Sequence, residues 1–101
     1  MTNSQRALQL LGLVRRAGKL VTGESFVLAA VRDQSAKLVL MASDAGASSQ
    51  KQFRDKTTSY GVALDESFTK DQLSTAIGSS RTVIAITDPG FVRKLQQLLA
   101  D

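Results

Sequence analysis

Apolar residues recur at helical spacing in the first stretch of the chain. Between Ser4 and Ala17, residues Ala7, Leu10, Leu11, Val14 and Ala17 trace one stripe. Gly18 follows where a left-handed cap would end that helix, and Arg15 and Arg16 in its last turn oppose the negative end of the helix dipole. Lys19 to Thr22 predicts a short strand, and Gly23 to Asp33 a second helix that buries Val27, Ala30 and Val31. Ala36 to Ala42 is an almost continuous apolar run, the pattern of a strand covered on both faces. Ser43 to Ser49 is small and polar, predicting a loop that leads into a third helix through Phe53, ending near Ser59. Gly61 to Leu64 predicts another strand.

The second half carries its own start and stop signals. Thr69 to Gln72 matches a capping box, in which the Thr69 hydroxyl and the Gln72 amide satisfy each other's backbone donors. The helix it opens runs through Leu73, Ala76 and Ile77 and ends at Gly78. Thr82 to Thr87 is a second buried-strand run. Asp88 followed by Pro89 is an N-cap with proline at the first helical position, opening a last helix that buries Val92, Leu95, Leu98 and Leu99. Five helices thus alternate with four strands, which calls for a central sheet with helices on both faces, a three-layer α/β/α sandwich. The pattern alone leaves strand order and direction open.

Composition narrows the function classes. The chain has 101 residues, enough for one hydrophobic core and a single domain, and its 43% hydrophobic content argues against intrinsic disorder. It has no cysteine and no histidine, which removes disulfides, thiolate nucleophiles, imidazole bases and the usual zinc, haem and iron–sulfur sites; no cofactor is expected. A cytoplasmic location follows from a chain that needs no oxidising compartment. No apolar run approaches membrane-spanning length, and the first residues lack a signal-peptide profile, so no membrane partner is expected.

The net charge of +4 is unevenly placed. Residues 1–37 carry Arg6, Arg15, Arg16, Lys19, Arg32 and Lys37 against Glu24 and Asp33, whereas the remainder is balanced. A localised basic surplus favours a polyanionic partner, most often nucleic acid. Gly12 to Leu20 has the look of a phosphate-binding P-loop but has five residues between its glycines where the motif has four. It also has Leu20 where a metal-binding hydroxyl is needed, and it lies on a helix end where a P-loop opens a helix. Asp44 and Asp88 follow buried strands, yet Asp88 is an N-cap and Asp44 suits a turn. No serine sits in a nucleophile elbow. An enzyme with a small-molecule substrate is not expected. Phe26, Phe53, Phe68 and Phe91 each lie on or beside an apolar face in this reading, and Tyr60 stands alone, so no stacking platform is predicted.

Three segments together carry a resemblance: Arg15 to Glu24 (RRAGKLVTGE), Ala36 to Asp44 (AKLVLMASD) and Thr87 to Phe91 (TDPGF). They resemble the kink-turn-binding ribosomal-protein family, in particular its small bacterial YlxQ-type members, over about Leu8 to Leu99. The resemblance implies a single ribosomal-protein-like RNA-binding domain over residues 1–101, built as an α/β/α sandwich with a central four-stranded mixed sheet. It implies a non-enzymatic protein whose partner is structured RNA, kink-turn-like or ribosomal, with the ribosome itself a candidate. The grip would come from the turn opening the second helix and from the loops after the second strand and before the last. The candidate RNA-binding residues are therefore Gly23, Glu24 and Ser25; Ser43 and Asp44; and Ser79, Ser80 and Arg81, with Arg16 and Lys19 adding charge.

The chain departs from the family pattern at chemically telling positions. Where the family has Gly, a variable residue, Asn, Glu and a later Lys, this sequence reads Gly23, Glu24, Ser25, Phe26 and Ala29. Ser25 can replace one hydrogen bond, whereas the benzyl group of Phe26 cannot accept a proton from a base. The family's Glu-Asp pair is Ser43-Asp44, and its Leu-Gly in the fourth helix is Leu73-Ser74. A second reading keeps the scaffold but turns this surface to a protein, with an exposed Phe26 as anchor.

Overall fold

The helices begin and end at side chains whose hydrogen bonds explain why they do. The computed structural model describes residues 1–100. These form α1 (Asn3–Arg16), β1 (Leu20–Thr22), α2 (Glu24–Arg32), β2 (Leu38–Met41), α3 (Ala47–Tyr60), β3 (Ala63–Asp65), α4 (Lys70–Ile77), β4 (Val83–Ile86) and α5 (Pro89–Leu99). The Thr69–Gln72 capping box is present, and the Asp88 carboxylate accepts the Phe91 N–H at 2.9 Å. At the end of α1, Gly18 takes a φ of +72°. Its N–H donates to the Arg15 carbonyl at 3.0 Å while the Lys19 N–H donates to that of Val14 at 3.1 Å, the paired bonds of a Schellman cap.

Several boundaries differ from the pattern reading: β3 runs from Ala63 to Asp65 and not from Gly61 to Leu64, because Gly61 is the left-handed C-cap of α3 at φ 67°. A second capping box, Thr2 with Gln5, starts α1 at Asn3, one residue early. Helix α3 begins at Ala47, inside the stretch predicted as loop, because small polar residues suit a first turn that has nothing to bury. The loop after β2 is therefore only Ser43 to Gly46.

The sheet order is β1-β4-β2-β3. β4 is antiparallel to both β1 and β2, while β2 and β3 are parallel, so the sheet is mixed. Helices α1, α4 and α5 pack together over one face and α2 with α3 over the other, completing the three layers. This sandwich explains the two continuous apolar runs: every residue of the central strands β2 and β4 is buried. Leu11, Val14, Val27, Val31, Phe53, Leu73, Ile77 and Leu95 close on them from the helices. Ala17 is exposed and Leu10, Leu98 and Leu99 only half-buried, contrary to the helical stripes. Ala17 is the cap residue, past the packed turns, and Leu10 and Leu98 line an open groove between α1 and α5.

Candidate nucleic-acid interface

Strand register gathers three loops at one end of the sheet. Thr22, the last residue of β1, lies opposite Ile84; Met41, the last of β2, lies opposite Val83 at the start of β4. The Ala42 N–H extends the ladder by donating to the Thr82 carbonyl at 2.8 Å. The turn at Gly23, the loop Ser43–Gly46 and the loop Gly78–Thr82 therefore share one edge, as the resemblance implies. The segment before α4 joins them, since the Ser43 N–H donates to the Phe68 carbonyl at 2.8 Å.

Gly23 sits at φ 93°, ψ 140°, a conformation that a side chain would strain, and so caps α2 without a side-chain acceptor. The Glu24 carboxylate accepts from the Ser49 hydroxyl of α3, which ties the two helices of that layer together at this end. Ser25, in the first turn of α2, is exposed. Phe26 is 72% exposed, so the expectation that it lies against an apolar face is wrong. The stripe of α2 is Val27, Ala30 and Val31, and Phe26 lies one residue, about 100°, away from its first member. Its ring leans back toward the helix start, with Cδ2 3.8 Å from where a Cβ on Gly23 would be.

The last loop is held from inside the protein. The Ser74 hydroxyl accepts the Arg81 N–H at 3.0 Å and donates to the Arg81 carbonyl at 3.3 Å. Ser79 is half-buried; Ser80 and Arg81 are exposed, and the Arg81 guanidinium donates to the Ser80 carbonyl at 2.9 Å. Arg15 reaches this loop as well: its Nη1 lies 3.1 Å from where a Cβ on Gly78 would be. Ser74 and Arg15 are absent from the sequence-based candidates. Ser74 carried a signal as a departure from the family glycine, whereas the reach of Arg15 depends on how α1 packs on α4.

Asp44 has a partner within the fold, its carboxylate accepting the Lys70 N–H at the start of α4 at 2.9 Å. Ser43 beside it is exposed. Arg16 is exposed in the last turn of α1, and Lys19 stands apart from the three loops. The Lys19 carbonyl accepts from the Thr87 N–H at 3.1 Å, at the opposite end of β1 from Gly23, and four residues of extended chain span about 13 Å. The basic run before β1 thus divides, with Arg15 turned to the loops and Lys19 anchored at the far end.

Among the described residues, the ion pairs Lys51–Asp55 and Arg54–Glu66 lie on or beside α3 and leave the cations of the loop edge unpaired. Hydrogen bonding to Glu66, then its charge, raises the Arg54 pKa above the ordinary arginine value. Among the described residues no cluster of three or more acidic side chains could hold a metal ion. Nor, among the described residues, is any helix long and apolar enough to cross a membrane. An open apolar groove between α1 and α4, lined by Leu8, Gln9, Thr75 and Ala76, holds one carboxylate, Asp71, and no acid–base pair.

Comparison with known proteins gives the same outline. Residues 5–96 match the Ribosomal protein L7Ae/L30e/S12e/Gadd45 family. A protein named RNA-binding protein YlxQ from Enterococcus faecium is 40% identical over 97 residues, covering 96% of this chain and 94% of the relative. Another of that name from Bacillus subtilis (strain 168) is 42% identical over 91 residues, covering 89% and 91%. A solved protein of unknown function from Bacillus halodurans C superposes with a TM-score of 0.89 at 41% identity, covering 94% of this chain and 97% of that one. The Giardia lamblia 15.5kD RNA binding protein has a TM-score of 0.81 at 19% identity, covering 97% and 85%, which is a likeness of fold.

Proposed function

The chain belongs to the ribosomal protein L7Ae/L30e/S12e/Gadd45 family, within it to the small bacterial YlxQ type, and on that premise we propose that it binds structured RNA through the loop edge. The observation that carries this reading is the convergence of Gly23, Ser43 and Arg81 at one end of the sheet, held by the Ala42–Thr82 hydrogen bond. Exposed hydroxyls of Ser25, Ser43 and Ser80 there suit phosphate and ribose oxygens, and the guanidinium groups of Arg81 and Arg15 supply charge. Lys19, at the far end of β1, and the exposed Arg16 act as a flanking charge for a longer RNA. Asp44 shapes its loop through Lys70, and Glu24 orients the turn through Ser49.

The protein works by binding, without catalysis, in the cytoplasm, on ribosomal or other kink-turn-like RNA. Phosphate contacts outweigh base contacts, because Ser25, Phe26 and Ala29 stand where the family reads guanine. The test is a titration of the full chain against a kink-turn duplex and a straight duplex of equal length, at two salt concentrations. Affinity should fall with salt at a logarithmic slope of about −2 to −4, from about three to four neutralised phosphates. The bent RNA should bind more tightly than the straight one. A flat salt dependence, or no binding to either, would overturn the reading. A protein-adaptor role on the same surface is the second reading, favoured by the exposure of Phe26.

A further inference from the structure

Phe26 is the one large side chain on this edge that the proposed phosphate contacts leave unused. Four hydrophobic side chains of large size are exposed in the described structure: Met1, Leu13, Phe26 and Tyr60. Phe26 alone of these belongs to the loop edge. Its ring takes no part in the core, and 72% of the residue meets solvent. The ring also lies beside the turn. Helical geometry points it back over Gly23, whose missing Cβ leaves the ring edge beside bare main chain.

A benzyl group offers an RNA no hydrogen bond, so it cannot read a base edge. What it offers is a flat apolar face. Unpaired bases that have left a helical stack are received on aromatic side chains in this way, whereas bases inside a straight duplex keep both faces covered by their neighbours. The flanking groups fit that use: Ser25, the preceding residue, is exposed, and Arg81 adds a cation on the same edge.

We infer that Phe26 stacks on an unpaired base of the bound RNA, which makes it a specificity-determining residue that selects RNA with an extruded base over continuous duplex. This rests on the RNA-binding reading above and deepens it.

The chain contains no tryptophan, so Phe26→Trp creates a single tryptophan at the ring position, which excitation at the red edge reads apart from Tyr60. The full-length protein and the variants Phe26→Trp, Phe26→Leu and Phe26→Ala are titrated with a kink-turn RNA and with a straight duplex. Because the side chain is exposed, all four fold alike, which thermal unfolding checks. Phe26→Ala and Phe26→Leu should bind the kink-turn RNA about tenfold or more weakly, and the straight duplex unchanged. Phe26→Trp should bind within about threefold of the parent, its emission quenched by the kink-turn RNA and not by the straight duplex. If Phe26→Leu binds as the parent does, or tryptophan emission is unmoved at saturation, or both RNAs weaken equally, the stacking role falls and RNA binding stands. If the parent protein binds neither RNA, both fall together.

Discussion

The hydroxyl of Ser74 satisfies both polar groups of the Arg81 main chain, accepting its N–H at 3.0 Å and donating to its carbonyl at 3.3 Å. One small side chain on α4 thereby fixes where the last loop presents its only cation. A glycine there would leave both main-chain groups to water. Ser74 is thus a positioning residue for Arg81, and the sequence departure at this site gains a physical role.

Replacing Ser74 by Ala should cost about 1 kcal/mol of stability, the net worth of such hydrogen bonds, measured by urea unfolding. Amide exchange at Arg81 should accelerate. RNA affinity should drop several-fold, although Ser74 itself touches no RNA. Unchanged exchange at Arg81 would rule out the clamp.

Arg81→Ala should make the slope of log affinity against log salt less negative by about 1, the signature of one lost phosphate contact. Lys19→Ala should change it less, since Lys19 lies at the far end of β1. Isothermal titrations at three salt concentrations decide between them. The reverse ranking would place the RNA along α1 instead of on the loops.

Asp44→Ala separates a structural carboxylate from a binding one. Removing the acceptor of the Lys70 N–H should destabilise the protein by about 1 kcal/mol, as for a lost helix cap. Asp44→Asn, which keeps an acceptor oxygen, should recover most of that loss. Affinity for RNA should stay within about twofold, measured at a temperature where every variant is folded.

At Ser25 the family pattern has an asparagine. Ser25→Asn should strengthen kink-turn binding relative to the straight duplex by about 1–3 kcal/mol, because an amide makes the paired contact to a base edge that a hydroxyl cannot. Equal strengthening of both RNAs would mean that this turn meets only the backbone of the RNA.

Much of the fold is legible in the sequence because its signals are local. The capping box at Thr69, the Asp88-Pro89 start and Gly18 each fix a boundary through bonds spanning a few residues. The apolar runs of β2 and β4 announce that both faces are covered. Long-range arrangement is less legible. Arg15, Arg16 and Lys19 are neighbours in sequence, but a Schellman cap followed by an antiparallel pairing with β4 sends Lys19 toward Thr87 while Arg15 reaches Gly78. Phe26 is misread because one position on a helix separates the buried stripe from solvent. The clamp of Ser74 on Arg81 joins the middle of α4 to the far side of its loop, a pairing that no periodicity encodes.

The place of β4 between β1 and β2 has a consequence for synthesis of the protein. The turn at Gly23 and the loop at Ser43 are made first, and the strand that aligns them is translated only after both, with α3, β3 and α4 in between. Until it inserts, β1 has no partner and the two early loops have no common frame. A nascent chain that has emerged only as far as α3 therefore presents no finished binding edge to RNA, including the RNA of the ribosome making it. The edge is complete only once β4 has closed the sheet between β1 and β2.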